Sequence, residues 1–266
     1  MGSHNLQEIL RDLEAPVEEK TINVTIDKNL ENNIKKIFEI YKLQLEYEPD
    51  IIFAHDSTFE ASLRDLSRVQ ITPNILTEFL LCLSVRYEPY NIKFFQNTDL
   101  RTGLFISALV QRAYDLNYNN FKLILLEPLD RLRYMLGCLK GKSHRRLKVS
   151  VTCSYFGNYF GGDAEYVDFN LRGSVGESCL AASESCSLHL FGNVSGGLGS
   201  NARNLNAYVS GRVSDLPMVH AATSVLKARQ LPGDNDFAIT IKQFLYAGSK
   251  IYKIKDDGSE ELLISK

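Results

Sequence analysis

The sequence predicts an α/β (or α+β) N-terminal domain, followed by a short parallel β-helix of about four rungs and by C-terminal strands that cap it. The first observation is that hydrophobic residues in the N-terminal half alternate between helical and strand spacing. The second is that a Leu/Val-x-Gly-x-Val unit returns at a fixed 19-residue interval between Leu171 and Val213. With 266 residues, 44% of them hydrophobic, the chain is large enough to bury such a core.

The N-terminal domain is expected at residues 21–146, after a tag remnant and N-terminal segment at residues 1–20 that opens with MGSH. Strands are predicted where apolar residues alternate or form short runs, in TINVTID, DIIFAHD, YNIKFF and FKLILLE. Helices are predicted where apolar residues recur every three or four positions, around residues 30–45, 59–66, 73–83 and 100–116. The segment LDRLRYMLGCL is predicted to be a helix or helical turn that stops near Gly141.

Three equally spaced glycines, Gly173, Gly192 and Gly211, mark the repeat of the C-terminal half. Aliphatic residues stand two positions before and two positions after each of them: Leu171, Leu190 and Val209, then Val175, Val194 and Val213. Polar residues alternate with these columns, which is typical of a strand with one buried face. VSVTCSY occupies the same columns one unit earlier, and Leu226 and Ala228 continue them one unit later.

A unit of this length is too short to form its own core but is the right size for one turn of a coil. Equivalent strands of successive turns would then stack in parallel, about 4.8 Å apart, with like side chains in contact. The recurrent glycine is expected on the inward-facing side of the strand, where it leaves room for a bend or a close backbone approach. These arguments predict a parallel β-helix at residues 147–230, with an antiparallel sandwich as the alternative.

Residues 231–266 are expected to cap the open end of this coil. They contain two or three predicted strands and the dipeptide Asp257-Gly258, which is typical of a hairpin turn. A cap is needed because bare edge strands invite aggregation.

The repeated strand-Gly-x-Val unit resembles the GXGXG β-helix domain, the family found in the large chain of glutamate synthase and in a component of formylmethanofuran dehydrogenase. The segments NLRGSVG, HLFGNVSGGLG and YVSGRVS carry the resemblance. A second family glycine is replaced here by Val167, Cys186 and Leu205. The resemblance implies a spacer or assembly role without catalytic residues. The Gly-rich β-helix domain of the septum inhibitor MinC is a rival resemblance, and implies a regulator of a polymer.

The composition argues against a nucleic-acid-binding protein and against a membrane-spanning one. A formal net charge of −2 argues against a nucleic-acid-binding protein, and KGKSHRRLK is the one dense basic run. No apolar run approaches the ~18 residues that a membrane span needs. The five cysteines, an odd number without zinc-type spacing, are expected to be reduced thiols in a cytoplasmic protein: Cys82, Cys138, Cys153, Cys179 and Cys186.

Candidate chemical groups are few, and each has a structural interpretation that we favour. GGLGSN could cradle an anion, and the aromatic residues of FGNYFGGD could stack on a ligand, but both are expected to be rung corners. Asp163 with Glu165, or Glu177 with Glu184, could form an acid–base pair, but outward carboxylates are more often simply solvated. Cys179 and Cys186 are candidate nucleophiles, but the sequence predicts no histidine partner for either. The isolated histidines, His55, His144, His189 and His220, suggest no metal site.

We therefore expect no catalytic residue, metal or cofactor, and interpret the chain as a non-catalytic scaffold that forms a homo-oligomer or binds a protein partner. The surfaces expected to make this contact are the flat face of the coil or its aromatic corner. The alternative is an enzyme, with a polar pocket near FAHDSTFEASLRD or KSHRRLK or at the junction with the coil. A regulator of a polymer is a third hypothesis.

Overall fold

The computed structural model of the chain describes residues 28–46, 55–84, 99–126, 129, 132–233 and 235–266. Its helices are α1 (Lys28–Glu46), α2 (His55–Asp65), α3 (Pro73–Ser84), α4 (Asp99–Asp115) and α5 (Asn235–Phe244). The strands are β1 (Asn120–Ile124), β2 (Leu147–Phe156), β3 (Val167–Glu177), β4 (Ser187–Phe191), β5 (Val194–Gly196), β6 (Asn206–Arg212), β7 (Val225–Gln230), β8 (Lys250–Ile254) and β9 (Glu260–Ser265).

The N-terminal part is helical and has an aromatic core. Helix α1 buries one stripe because its apolar residues recur every three or four positions, and Phe38 and Tyr41 lie on that stripe. Phe38 packs on Phe79 of α3 with ring centroids 4.7 Å apart, and Tyr41 packs on Phe105 of α4 at 5.1 Å. The Tyr41 hydroxyl lies 2.7 Å from the Thr102 hydroxyl, so the buried phenol keeps a hydrogen bond.

Of the four strands predicted in this part, FKLILLE is confirmed as β1. The segments TINVTID and YNIKFF lie outside the described residues, and so does most of DIIFAHD, whose His55 and Asp56 begin helix α2. Strand β1 belongs to the sheet of the coil, because it pairs in parallel with β2 in the register Phe121–Val149.

A parallel β-helix of about four turns follows at residues 147–230, as the 19-residue spacing predicts. Strands β2, β3, β4, β6 and β7 stack in chain order, and β1 and β8 extend the parallel sheet at its two ends. The register pairs Leu171 with Leu190 and Leu190 with Val209, while Val175 pairs with Val194 and Val194 with Val213. The antiparallel alternative is wrong, because every pairing of these strands with one another is parallel.

The inside of the coil is filled by stacked columns of like residues. One column runs Val149, Phe169, Leu188, Ala207 and Leu226, and the next runs Val151, Leu171, Leu190, Val209 and Ala228. All of these side chains are buried. Since each rung covers the apolar face of its neighbours, the coil gains its stability between rungs rather than within one.

The recurrent glycines stand where the strand of each rung turns a corner. A Cβ on Gly192 would overlap the carbonyl oxygen of Gly173, and one on Gly211 would overlap the carbonyl oxygen of Gly192. All three repeat glycines are only half-buried. The expected close backbone approach is therefore present, but it is directed along the stack towards the neighbouring rung and not into the core.

The opposite corners are built from residues whose φ alternates in sign. In the corner between β3 and β4, Ser178, Leu180, Ala182 and Ser185 have φ of 58°, 55°, 53° and 53°, and similar positive values recur in the neighbouring rungs. Amide N–H groups of these corners donate to carbonyls of adjacent rungs, as Leu180 does to Phe160 at 2.8 Å and Ala182 to Ser200 at 2.7 Å. These hydrogen bonds between rungs satisfy the backbone N–H and C=O groups of the corners, where no strand forms.

In LDRLRYMLGCL the structure describes Leu129, which has 3₁₀ conformation, and the residues from Leu132 onwards, which form the first of these corners and not a helix. Tyr134, Leu136 and Cys138 have φ of 54°, 57° and 58°. The Tyr134 and Cys138 amides donate to the carbonyls of Asn158 and Gly162 in the next rung. The helical prediction was wrong because apolar residues spaced for the interior of a coil corner can match helical spacing over so short a stretch.

We expect Ala182→Gly to stabilise the protein by about 1 kcal/mol, because an L-residue in the left-handed region has a steric cost that glycine avoids. Ala182 is exposed, so the lost methyl group removes little packing. The measurement is the midpoint of urea unfolding. The matched control is Ala222→Gly, at a half-buried position without a positive φ, where the same change should destabilise. Destabilisation at both positions would contradict the argument.

Helices and strands close the two ends of the coil. At the first end, the Gln111 side chain of α4 accepts a hydrogen bond from the Lys140 N–H at 2.8 Å and donates to the Lys140 carbonyl at 3.2 Å. At the other end, strands β8 and β9 form an antiparallel hairpin whose turn contains Asp257 and Gly258, as predicted. Two strands, β8 and β9, are therefore present in residues 231–266, where two or three were predicted, and FAITIKQF belongs to helix α5, which was not predicted. Its buried contacts recur every four residues, at Phe237, Ile241 and Leu245.

Candidate functional site

The parallel sheet of the coil has a regular outward side, which we call the sheet face. Alternation along each strand turns every second side chain outward, and parallel stacking aligns these side chains in columns along the coil axis. The sheet face consists of Asn120, Lys122, Ile124, Lys148, Ser150, Thr152, Asp168, Asn170, Arg172, Ser187, His189, Phe191, Asn206, Tyr208, Ser210, Val225, Lys227, Arg229, Lys250 and Tyr252.

The middle of the sheet face is aromatic. His189 lies between Phe191, with ring centroids 4.5 Å apart, and Tyr208, at 4.6 Å. The Arg172 guanidinium lies 5.2 Å from the centroid of the Phe191 ring, within the range of a cation–π contact. Phe191 remains 42% exposed, which is high for a phenylalanine on a folded domain. The centre is therefore an apolar patch with a cation on its margin.

Basic residues outnumber acidic ones on this face. It carries Lys122, Lys148, Arg172, Lys227, Arg229 and Lys250, against Asp168 alone. Lys227 is bonded to Glu260 of β9 at 2.8 Å. The other five basic residues form no ion pair within the part of the chain that the structure describes. Of these five, Lys148 stands opposite Asp168 and its charge acts on that carboxylate. The charges of the other four are available to a molecule that approaches from solvent.

Asp168 lies at one margin of the sheet face, where it accepts hydrogen bonds from Ser187 of the neighbouring rung and from Arg146, which directly precedes β2. Its Oδ1 accepts hydrogen bonds from Arg146 Nε at 2.8 Å and from the Ser187 hydroxyl at 2.6 Å. Partial burial alone would raise the pKa of Asp168. The hydrogen bonds from Arg146 and Ser187, together with the guanidinium charge, outweigh that effect and lower the pKa below its ordinary value.

We expect Asp168→Asn to lower the free energy of unfolding by roughly 1 kcal/mol at pH 7, since it removes the charge but keeps an acceptor oxygen. Because the folded pKa lies below the unfolded one, this stabilisation is present above about pH 4 and is lost as the pH falls through the folded pKa. Denaturant unfolding of both proteins from pH 7 down to about pH 2.5 measures it. A difference that stays constant over that range would contradict the ion-pair explanation.

The cysteines predicted to be structural lie inside the coil. Burial raises the pKa of the Cys179 thiol to about 12, and chiefly burial raises the pKa of Cys186 to about 11. The Cys186 thiol donates to the Ala164 carbonyl at 3.3 Å, and neither thiol has a hydrogen bond to a histidine among the described residues. A thiolate nucleophile at either position is not supported by these surroundings. All five cysteines of the chain are free.

The two glycine-rich segments are rung corners, as expected. In GGLGSN the amides of Gly199, Ser200 and Asn201 already donate to backbone carbonyls, so they do not form an open anion cradle. In FGNYFGGD, Phe156 and Phe160 are fully buried, whereas Tyr159 is exposed and stacks on Tyr134 of the preceding corner at 4.9 Å.

The candidate acids and histidines do not converge. Glu165 forms an ion pair with Lys140, and the exposed Glu184 lies on the next rung, bridged to it in parallel. His220 stacks on Tyr246, while His189 belongs to the sheet face and His144 is exposed. Among the described residues there is no group of three or more side chains that could hold a metal ion.

A further polar contact joins helix α2 to the coil. The Cys138 thiol of the first corner donates to Oδ1 of Asp56 in α2 over 3.6 Å. Burial first, and then the negative charges of Asp56 and Asp163, raise the pKa of Cys138. The thiol is therefore held protonated as a donor, which suits a structural contact better than a nucleophile.

A cleft of about 570 Å³ lies between α1, α2 and the start of α4. It falls along FAHDSTFEASLRD, the stretch in which the enzyme hypothesis expects a polar pocket. Gln44 donates to Oδ2 of Asp65 at 2.5 Å across its wall, and Arg101 donates to the Leu45 carbonyl at 2.8 Å. The described lining residues are Leu43, Gln44, Ser57, Thr58, Glu60, Ala61, Arg64, Asp65 and Arg101.

The flat face of the coil is a contact surface expected from the sequence, but the residues that form it were not predicted. The signal was available, because His189, Tyr208 and Lys227 follow one another at the interval of the repeat. None of the helices in the described part of the chain has the length and apolar character that crossing a membrane requires. Comparison with protein-family models, with curated proteins and with solved structures found no match.

Proposed function

We propose that the protein is a non-catalytic scaffold that assembles with itself or with a protein partner through the sheet face. The observation that carries this proposal is the combination of a filled, apolar coil interior with a flat outer face of exposed aromatic and unpaired basic residues. Aromatic residues and arginine are the side chains enriched at the centres of protein interfaces.

Two finer expectations belong to this proposal. The coil is of the GXGXG type, in which the domain acts as a spacer or assembly unit, and the 19-residue period and corner glycines support this. The protein works in the cytoplasm, and the absence of disulfides among its five cysteines supports this.

The test is the mass of the native particle. The tagged chain is purified at low salt from cells of the organism that encodes it, and its mass is measured by light scattering and native mass spectrometry. We expect a particle of defined stoichiometry heavier than one 30.0 kDa chain. A strict monomer over the whole concentration range, with no partner in stoichiometric amount, would refute the scaffold function.

The cleft favours a second candidate, an enzyme of the N-terminal part. Its volume is in the range of small-molecule sites, and both charge signs line it. A thermal-shift screen of metabolites tests this, with Arg64→Ala as the variant because Arg64 is 78% exposed and its loss should not affect folding. A metabolite that raises the Tm of the native chain but not that of the variant would support an enzyme. The absence of any such compound would count against it.

A further inference from the structure

We propose that the sheet face binds an extended acidic segment of a partner protein, with acidic residues four positions apart and an apolar residue midway between them. This inference rests on the proposed scaffold function and names the chemistry of its partner. It is carried by the placement of the unpaired basic residues relative to the aromatic centre, and not by the number of basic residues alone.

The charge of the face differs from that of the whole chain. The chain has a formal net charge of −2, yet the sheet face holds six basic residues and one acidic one. Such a concentration of one sign attracts a partner of the opposite sign and orients it as it approaches. Asp168 is paired with Arg146 and stands opposite Lys148 in the register, so it leaves Lys122, Arg172, Arg229 and Lys250 without a compensating charge on this face.

The geometry fits an extended peptide that runs along the coil axis. Arg172 directly follows Leu171, and Arg229 directly follows Ala228. The register stacks Leu171, Leu190, Val209 and Ala228 on successive strands, so the two arginines stand one residue beyond the same column, three strands apart. Three strand spacings separate the two arginines, roughly 14 Å. An extended chain advances about 3.4 Å per residue, so residues i and i+4 are separated by the same distance. Carboxylates at these positions would meet Arg172 and Arg229, and the residue between them would lie near Phe191.

A nucleic acid fits the same face less well. Binding of single strands relies on aromatic rings whose faces are open to stacked bases. Here Phe191 already contacts Arg172 and His189, and His189 meets Tyr208 at an interplanar angle of 87°. A protein segment needs no open ring face, because an aliphatic side chain can pack against the edge of the cluster. The negative charge of the rest of the chain also opposes a long polyanion.

The test is a selection of random 16-residue displayed peptides on the full chain, followed by fluorescence anisotropy of the best labelled peptide. We expect enrichment of peptides with Asp or Glu at i and i+4 and an apolar residue at i+2. Arg172→Glu and Arg229→Glu should each weaken binding about tenfold, and added salt should weaken it further. Arg203→Glu is the matched control, because Arg203 is exposed on another side of the coil and should leave the affinity unchanged.

Several outcomes would overturn the inference: no enrichment, enrichment of neutral or basic peptides, or an acidic peptide whose affinity is unaffected by Arg172→Glu and Arg229→Glu. Tighter binding of a 20-nucleotide oligo(dT), lost in the same two variants, would replace it with a nucleic-acid function. Circular dichroism and the Tm show that each variant is folded. If the native particle forms with unchanged mass and affinity in both arginine variants, the partner does not depend on these arginines, and this inference fails while the scaffold function itself stands.

Discussion

Gly192→Ala is expected to lower the free energy of unfolding by about 3 kcal/mol, although it adds a single methyl group. The added Cβ would overlap the carbonyl oxygen of Gly173 in the preceding rung, and the nearest atoms all belong to backbone. Backbone cannot rotate away as a side chain can, so the two rungs must separate at this corner. Separation weakens the ladder and the packing beneath it, a cost typical of overpacked positions.

Urea unfolding of the native chain and the variant measures this effect. The control is Gly233→Ala, where an added Cβ has no atom within 4 Å and the stability should remain within about 0.5 kcal/mol. If both substitutions had the same small effect, the rungs could not be in such close contact at the corner. A large effect at Gly192 alone would show that the repeated glycine is needed for rung-to-rung contact.

Leu190→Ala is expected to cost about 3–4 kcal/mol, because it removes buried methyl groups and leaves a cavity that the coil cannot close. Leu190 is fully buried and its strand pairs with the strands of Leu171 and Val209 on either side. The rungs above and below are fixed by their own hydrogen bonds, so they cannot collapse into the space. The cost should therefore lie in the upper part of the range for leucine truncation.

The neighbouring substitution Phe191→Ala provides the control for this prediction. Phe191 loses more atoms, but its side chain is 42% exposed and outside the core. We expect it to cost at most about 1 kcal/mol. Guanidinium chloride unfolding followed by circular dichroism measures both. If Phe191→Ala proved the more damaging of the two, the assignment of inward and outward columns would be reversed.

Some elements were open to prediction from the sequence and others were not. The 19-residue period and the aliphatic columns predicted the coil, because burial restricts the inward positions to Leu, Val, Ile, Phe and Ala in every rung. LDRLRYMLGCL was misread as helical because its alternation of φ leaves no signature in the residue types. Helix α5 was missed although Phe237, Ile241 and Leu245 follow a helical period, since a strand cap was expected there.

The number of rungs, the inward columns and the need for glycine at one corner can all be read from the sequence alone. Three other features depend on the folded chain: which outward side chains meet on the sheet face, how α4 closes the first rung through Gln111, and where the cleft lies. The difference arises because an inward residue must fill a dry, fixed space that repeats with every rung. Outward residues face water and need not repeat, so they become neighbours only when stacking brings successive rungs into contact.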